Sequence, residues 1–349
     1  MSKIYLKPSQ IQKKLEILVK TGVVPFIKGS PGIGKSAIVR GVAEKFGLKL
    51  IDIRASQYEP TDFSGLPTRD VENNKSTYLP FDQLPIKGDK VPEGYNGYLV
   101  FLDEINHARQ PVIAALYKLI LDKKVGNHDL HDKVRIICAG NLDSDKAMTA
   151  KMSTAFNSRV LHLQMEADLE DWMDNYAIPN KVDSRIIAYL TQFPKEFYKF
   201  DPDSEHKSFS CARSWDQVNE VIQASKAVYG SVDNADLDLT MLDGLLSAGV
   251  ANHFIGYVEI FGQIPTIGEV LLDPEKASVP NDNSKAFAMA CTTEDHTDIS
   301  NVDIITKYVQ RLQPLQQALY ARMVTKRTPT LGANRSLLKM LSNTLKDNK

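Results

Sequence analysis

Residues 23–36 read VVPFIKGSPGIGKS, a short apolar run that passes directly into a glycine-rich loop ending in a lysine and a hydroxyl. Val23, Val24, Phe26 and Ile27 have the density of a buried strand, and Pro25, which lacks the N–H a ladder needs, is tolerable only near its beginning. Residues 29–36 match G-x-x-x-x-G-K-[ST], placed between that strand and a helix predicted through Phe46, which is the setting the loop requires. Glycines let successive backbone N–H groups turn inward around phosphate oxygens, and the helix N-terminus adds partial positive charge. Gly29, Pro31, Gly32, Ile33, Gly34, Lys35, Ser36 and Ala37 are therefore the expected ATP-binding residues. Lys35 is expected to reach the β- and γ-phosphates, and the Ser36 hydroxyl to ligate Mg²⁺.

The next decisive run is YLVFL, residues 98–102, followed at once by Asp103 and Glu104. Two adjacent carboxylates at the end of a buried strand are costly unless a cation uses them. Asp103 is the expected second oxygen donor to Mg²⁺, and Glu104 the general base that polarises the attacking water. LKLIDI (residues 48–53) and VRIICAG (residues 134–140) add two further apolar strands, and helical patterns separate them. Strands alternating with helices indicate an α/β fold with a parallel, right-handed sheet. After about residue 166 the strand signals fade and helical patterns run to the end, which divides the chain into an α/β domain over residues 1–166 and a helical one over 167–349.

Finer expectations follow from local pattern. Residues 9–20 form a lead-in helix capped by Ser9, with Ile11, Leu15, Leu18 and Val19 on one face. The segment 54–97 is too long for a plain connector and should contain a helix and an insertion loop. Residues 273–300, rich in Asp, Asn, Ser and Pro, read as an exposed linker; residues 301–324 read as two helices broken at Pro314, and 335–346 as a last helix.

Composition narrows the classes. A formal charge of −1 shows none of the basic excess of a dedicated phosphate-backbone binder. Cys138, Cys211 and Cys291 are odd in number, widely spaced and form no C-x-x-C, which opposes a disulfide framework or a structural zinc site and suits a reducing cytoplasm. No apolar run approaches the roughly 20 residues that span a bilayer, and MSKIYLKPSQ lacks an apolar signal core, so no membrane association or targeting is expected. His128 and His131 have no further His or Cys at ligand spacing and read as part of a solvated hairpin.

With the loop and the acidic pair in place, the flanking residues resemble the MoxR-like AAA+ ATPases, in the branch related to dynein-like and midasin-like modules. The likeness rests on KGSPGIGKS (28–36), DFSGLP (62–67), LPFDQLP (79–85), VFLDEINHARQPVIAALYKLI (100–120), ICAGN (137–141), FNSRV (156–160) and ARSWDQV (212–218). It is close over residues 20–165, patchier to 220 and weak beyond. The resemblance implies a parallel five-stranded sheet between helices followed by a helical lid and C-terminal helices. It also implies assembly into a homo-oligomeric ring, a hexamer by expectation, that remodels a macromolecular partner and cooperates with a von Willebrand A-type protein. By the same resemblance Asn141 is the sensor that holds the lytic water, Arg159 the finger offered to a neighbouring subunit's nucleotide, and Arg213 the lid arginine that contacts phosphates in cis. Arg109, beside the acidic pair, is a second finger candidate. The insertions at 63–85 and 123–134 would line the upper pore, and Arg54 would restrain Glu104. Adenine is placed only loosely, near Val23 to Phe26 and the lid.

Other classes fit less well. An AAA+ motor or loader acting on nucleic acid is the alternative, and near-neutral charge and the lack of a helix-turn-helix tail favour a protein substrate over it. A GTPase would need Asn-Lys-x-Asp, but Leu142 and Ser144 break that pattern after Asn141. A module that binds without turnover has no use for both Glu104 and Asn141.

Overall fold

The apolar runs of the first half pair side by side as one parallel sheet, seen in a computed structural model that describes residues 4–145, 152–229 and 237–347. The chain divides into two units, Met1–Ala167 and Asp168–Lys349. The first opens with β1 (Tyr5–Leu6), α1 (Pro8–Leu18), β2 (Val24–Lys28), α2 (Lys35–Lys45) and β3 (Leu48–Arg54). A short helix α3 (Pro60–Ser64) leads to the hairpin β4 (Leu66–Asp70) and β5 (Lys75–Leu79), then to β6 (Gly97–Asp103), α4 (Gln110–Tyr117) and a second hairpin of β7 (Lys124–Val125) and β8 (His128–Asp129). β9 (Val134–Gly140), α5 (Thr154–Asn157) and β10 (Val160–Met165) complete it.

The main sheet has six strands in the order β1-β10-β2-β9-β6-β3, all parallel. This is one strand more than expected, because Tyr5 and Leu6 pair with Gln164 and Met165 at one edge. Two residues carry no periodicity to read. Pro25 sits where the β9 side of its ladder has not begun: it aligns with Leu161 of β10, whereas pairing to β9 starts at Phe26. β6 is buried from Gly97 to Leu102, the signature of a strand covered on both faces. Phe26, Val100, Leu102, Ile113, Leu116, Cys138 and Phe156 form the centre of this unit's core.

Parallel register fixes where function can sit. Lys28 aligns with Gly140, and Arg54 with Asp103, so β2, β3, β6 and β9 all end on the same edge of the sheet. α1 starts one residue earlier than expected: Pro8 fills the first turn, where its missing N–H costs nothing, and Gln10 Oε1 accepts from the Lys7 N–H at 3.0 Å, so Ser9 is inside the helix.

The second unit is helical in its described residues: α6 (Leu169–Trp172), α7 (Ser184–Gln192), α8 (Ala212–Tyr229), α9 (Leu239–Asp243), α10 (Val250–Val258), α11 (Ile267–Leu272), α12 (Asn283–Asp295), α13 (Val302–Val309), α14 (Pro314–Arg327) and α15 (Arg335–Asp347). The expected linker over 273–300 is corrected here. Its middle is α12, whose residues Ala286 to Cys291 are buried. The polar run that reads as loop is the helix cap, Asp282 Oδ1 accepting from the Lys285 N–H at 2.9 Å. Met289, Ala290, Ile305, Tyr308, Tyr320 and Val324 are the middle of this unit's core. Arg327 is held among Glu294, Asp295 and the carbonyls of Ile178 and Val182. Among the described residues no helix is long and apolar enough to cross a membrane.

Candidate active site

The loop after β2 turns through Gly32 (φ 76°) and Gly34 (φ 96°), left-handed positions that residues with a side chain adopt only with strain. Gly34 is also the N-cap of α2, so the loop delivers the free N–H groups of the helix start to its concave side. Gly29 is confined for a different reason: a Cβ there would lie 2.7 Å from Ile33 Cδ1 and 2.8 Å from the Met165 carbonyl oxygen. Lys35 is buried, and its ammonium donates to the carbonyls of Gly29 (2.5 Å) and Ser30 (2.9 Å) and to Asn141 Oδ1 (3.1 Å). Ala37 is exposed on the first turn of α2.

Ser36 Oγ donates to Asp103 Oδ2 at 2.9 Å. The helix start and the end of β6 thus bring a hydroxyl and a carboxylate together from positions far apart in sequence. Both are hard oxygen donors, and 2.9 Å is about the edge of an octahedron around a cation bound at roughly 2.0–2.1 Å, so this pair fits Mg²⁺. Asp52, two residues before the end of β3, has its carboxyl held above the ordinary range by partial burial and then by the charge of Asp103, with Arg54 and Arg40 opposing. A cation would relieve that crowding of acids.

Glu104 has φ 55°, an uncommon conformation for a residue with a side chain, and its N–H donates to Asp103 Oδ1 at 2.8 Å. Strain of this kind concentrates at functional sites. The Glu104 carboxylate accepts from Ser56 Oγ at 2.8 Å, just beyond β3. The expected partner was Arg54; the hydroxyl two residues on is the group in contact.

Asn141 follows the last residue of β9, and its backbone is gripped by a buried neighbour: Asn106 Nδ2 donates to the Asn141 carbonyl (2.9 Å), and Asn106 Oδ1 accepts from the Asn141 N–H (3.2 Å). Asp145 bridges the same segment to the phosphate loop, accepting from Ser30 Oγ (3.0 Å) and the Leu142 N–H (3.1 Å).

Lys35, Ser36, Asp103, Glu104 and Asn141 therefore stand together at one sheet edge. Two arginines of the same unit, Arg159 and Arg109, do not join them. Arg159 is exposed between α5 and β10 and donates to the Ala155 carbonyl at 3.0 Å. Arg109 is paired with Glu59 on the surface. Arg213 is exposed on the first turn of α8, in the second unit, and Asp216, a possible partner by helical spacing, accepts from the Tyr176 hydroxyl. Val23 and Pro25 line a cavity of about 30 Å³ with Arg135 and Ile137 where β2 and β9 begin, the opposite end of the strands from the phosphate loop, which counts against them as adenine contacts. His128 contacts the Tyr78 carbonyl and His131 accepts from the Lys133 N–H; among the described residues no His, Cys, Asp and Glu group has the arrangement of a metal site. Ser56, Asn106 and Asp145 were not anticipated. Each is polar and lies within a few residues of a motif, but their spacing along the sequence carries no sign of what they touch.

Fold and site together define a P-loop α/β domain with a strand-end acidic pair. Residues 25–160 match the AAA domain (dynein-related subfamily). A stretch of 94 residues is 35% identical to Midasin of Giardia intestinalis, covering 27% of this chain and 2% of that far longer protein. Among solved structures, a candidate ATPase of Cytophaga hutchinsonii is 17% identical with a TM-score of 0.35, covering 72% of this chain and 90% of that one. A RuvB variant of Thermotoga maritima is 14% identical with a TM-score of 0.38 over 73% and 75% of the two chains. NtrX of Brucella abortus in complex with ADP is 15% identical with a TM-score of 0.39 over 99% and 69%.

Proposed function

We propose that this protein binds ATP with Mg²⁺ and hydrolyses it, as an AAA+ ring protein of MoxR type that remodels a macromolecular partner. The reading is carried by one observation: Ser36 Oγ meets Asp103 Oδ2 at 2.9 Å while Lys35 Nζ meets Asn141 Oδ1 at 3.1 Å, which joins the phosphate loop to the acidic pair and to the sensor position. The match of residues 25–160 to the dynein-related AAA domain supports it.

The backbone N–H groups around Gly32 and Gly34 would take the phosphate oxygens, and Lys35 would exchange its carbonyl partners for the β- and γ-phosphates. Ser36 and Asp103 would hold Mg²⁺, which when bound would neutralise phosphate charge. Glu104 takes a proton from the attacking water as the new O–P bond to the γ-phosphorus forms and the bond to the β-bridging oxygen breaks, leaving ADP and phosphate. Asn141 has an amide that can donate to phosphate while accepting from that water.

The remaining assignments belong to the same proposal: residues 1–166 as the nucleotide-binding domain, 167–349 as the lid with its extension, and Arg213 acting in cis from that lid. Arg159, exposed and donating to the Ala155 carbonyl, suits a finger in trans better than Arg109, which Glu59 already engages. A hexameric ring, a von Willebrand A-type partner, a protein substrate and a cytoplasmic location complete it; the three buried free cysteines accord with a reducing compartment.

The deciding experiment follows ATPase rate against protein concentration, with mass measured with and without ATP, for wild type, Lys35→Ala, Glu104→Gln and Arg159→Ala. The expected result is a specific rate that rises as a large ring assembles, weakened binding for Lys35→Ala, and retained binding without turnover for the other two. A monomer whose rate is independent of concentration and of Arg159 would discard the ring.

A further inference from the structure

Asn106 is fully buried, and its carboxamide spends both ends on a single residue, 35 positions away in sequence. Its donor takes the carbonyl of Asn141 and its acceptor takes the N–H, as a neighbouring strand would. Gly140 makes this approach possible: a Cβ there would stand 2.3 Å from Asn106 Oδ1 and 3.2 Å from Phe26 Cε2. With both backbone groups of Asn141 pinned, its Cα–Cβ direction is fixed, and its Oδ1 accepts from Lys35 Nζ at 3.1 Å. That leaves the Nδ2 of Asn141 as a donor facing away from Lys35. A chain of contacts therefore runs from the segment just after the acidic pair, through Asn106, to the one amide at the end of β9 and on to the phosphate-loop lysine.

We infer that Asn106 is the positioning residue for Asn141: it never touches nucleotide, and it sets the angle at which the Asn141 amide meets the γ-phosphate and the lytic water. The inference rests on the ATPase reading above. A buried asparagine that merely satisfies the end of a strand would make the same two bonds, so the test must separate acting through Asn141 from holding the fold.

Steady-state kcat and nucleotide dissociation constant are to be measured on the full chain for Asn106→Ala, Asn141→Ala and the double variant. Small misplacements of a reacting geometry cost on the order of 10- to 100-fold in rate. Asn106→Ala is expected to lose that much in kcat with its nucleotide dissociation constant within about twofold of wild type, and the double variant to be no slower than Asn141→Ala alone. A merely structural residue would depress both backgrounds by the same factor and shift binding as well; that pattern, or an Asn106→Ala enzyme with wild-type kcat, overturns the inference. Gly140→Ala attacks the same contact from the other side and is expected to lower kcat without weakening nucleotide binding, so it carries the test if Asn106→Ala does not fold. A wild type that does not hydrolyse ATP sinks the ATPase reading and this inference together, whereas wild-type turnover unaffected in both variants sinks the inference alone.

Discussion

Replacing Glu294 by Gln should change how stability depends on pH, by an amount that the ion cluster of the second unit sets. Glu294 and Arg327 are 5% and 7% exposed, and Arg327 Nη1 lies 2.6 Å from Glu294 Oε2 and 2.7 Å from Asp295 Oδ1. One guanidinium thus serves two carboxylates. Burial, with the charge of Asp295 adding to it, outweighs Arg327 and lifts the Glu294 carboxyl from its ordinary 4.5 to about 7. An acid whose folded pKa is raised binds more protons folded than unfolded between those two values, so stability falls as pH rises through that window. The full displacement is worth about 3.4 kcal/mol at 1.36 kcal/mol per unit, and roughly 2 kcal/mol of it falls between about pH 5.5 and pH 8. Glutamine keeps an acceptor for Arg327 and cannot titrate. The difference in unfolding free energy between wild type and Glu294→Gln should therefore move by about 2 kcal/mol across that range, the variant gaining on wild type as pH rises. Urea titrations followed by tryptophan fluorescence isolate the effect, because both tryptophans, Trp172 and Trp215, are buried in the second unit. Parallel pH profiles for the two proteins, within about 0.5 kcal/mol, would show that Arg327 holds Glu294 ionised and would refute the reasoning.

Asp183 behaves in the opposite sense: Arg185 and Lys226 outweigh its burial and hold its carboxyl at about 2, so its stabilising share is present above its ordinary 3.8 and is lost as pH falls toward 2. Asp183→Asn should cost about 2–3 kcal/mol at pH 7 and progressively less in acid, and a loss independent of pH by the same fluorescence titration would contradict this. Gly34 has φ 96° and nothing within 4 Å of where a Cβ would go, so Gly34→Ala pays only for backbone strain. About 1–2 kcal/mol of destabilisation is expected, read as a lower melting temperature of the first unit by circular dichroism; an unchanged melt would mean the loop relaxes freely.

The sheet was legible because burial on both faces leaves uninterrupted apolar runs: Tyr98–Leu102 and Ile136–Ala139 admit few readings other than central strands. The phosphate loop and the acidic pair were legible because their chemistry demands fixed spacing. What pattern could not reach is of two kinds. β1 is two residues long and exists only because Gln164 and Met165 offer it an edge. α12 was hidden by its own cap, since Asn281, Asp282, Asn283 and Ser284 carry the same residue types whether they end a loop or begin a helix.

The contacts that hold the site were hidden for a further reason, which bears on how such sites are built. Ser36 and Asp103 could be paired from sequence because each sits in a motif that names its partner's ligand. Ser56 meets Glu104, Asn106 meets Asn141 and Asp145 meets Ser30 across 48, 35 and 115 positions, and none of these three supporting residues stands at a spacing that points to the other member. A parallel sheet makes such pairings inevitable: β2, β3, β6 and β9 finish on one edge, so the residue after each strand meets the residues after its neighbours whatever their distance along the chain. Polar side chains in those following positions find partners among one another, and where the side chain is buried, as Asn106 is, a donor or acceptor left unpaired costs free energy. The residues a motif names are then those that face the ligand, while the ones that fix its angles are the short polar side chains one or two positions further on, where Ser56 and Asn106 stand.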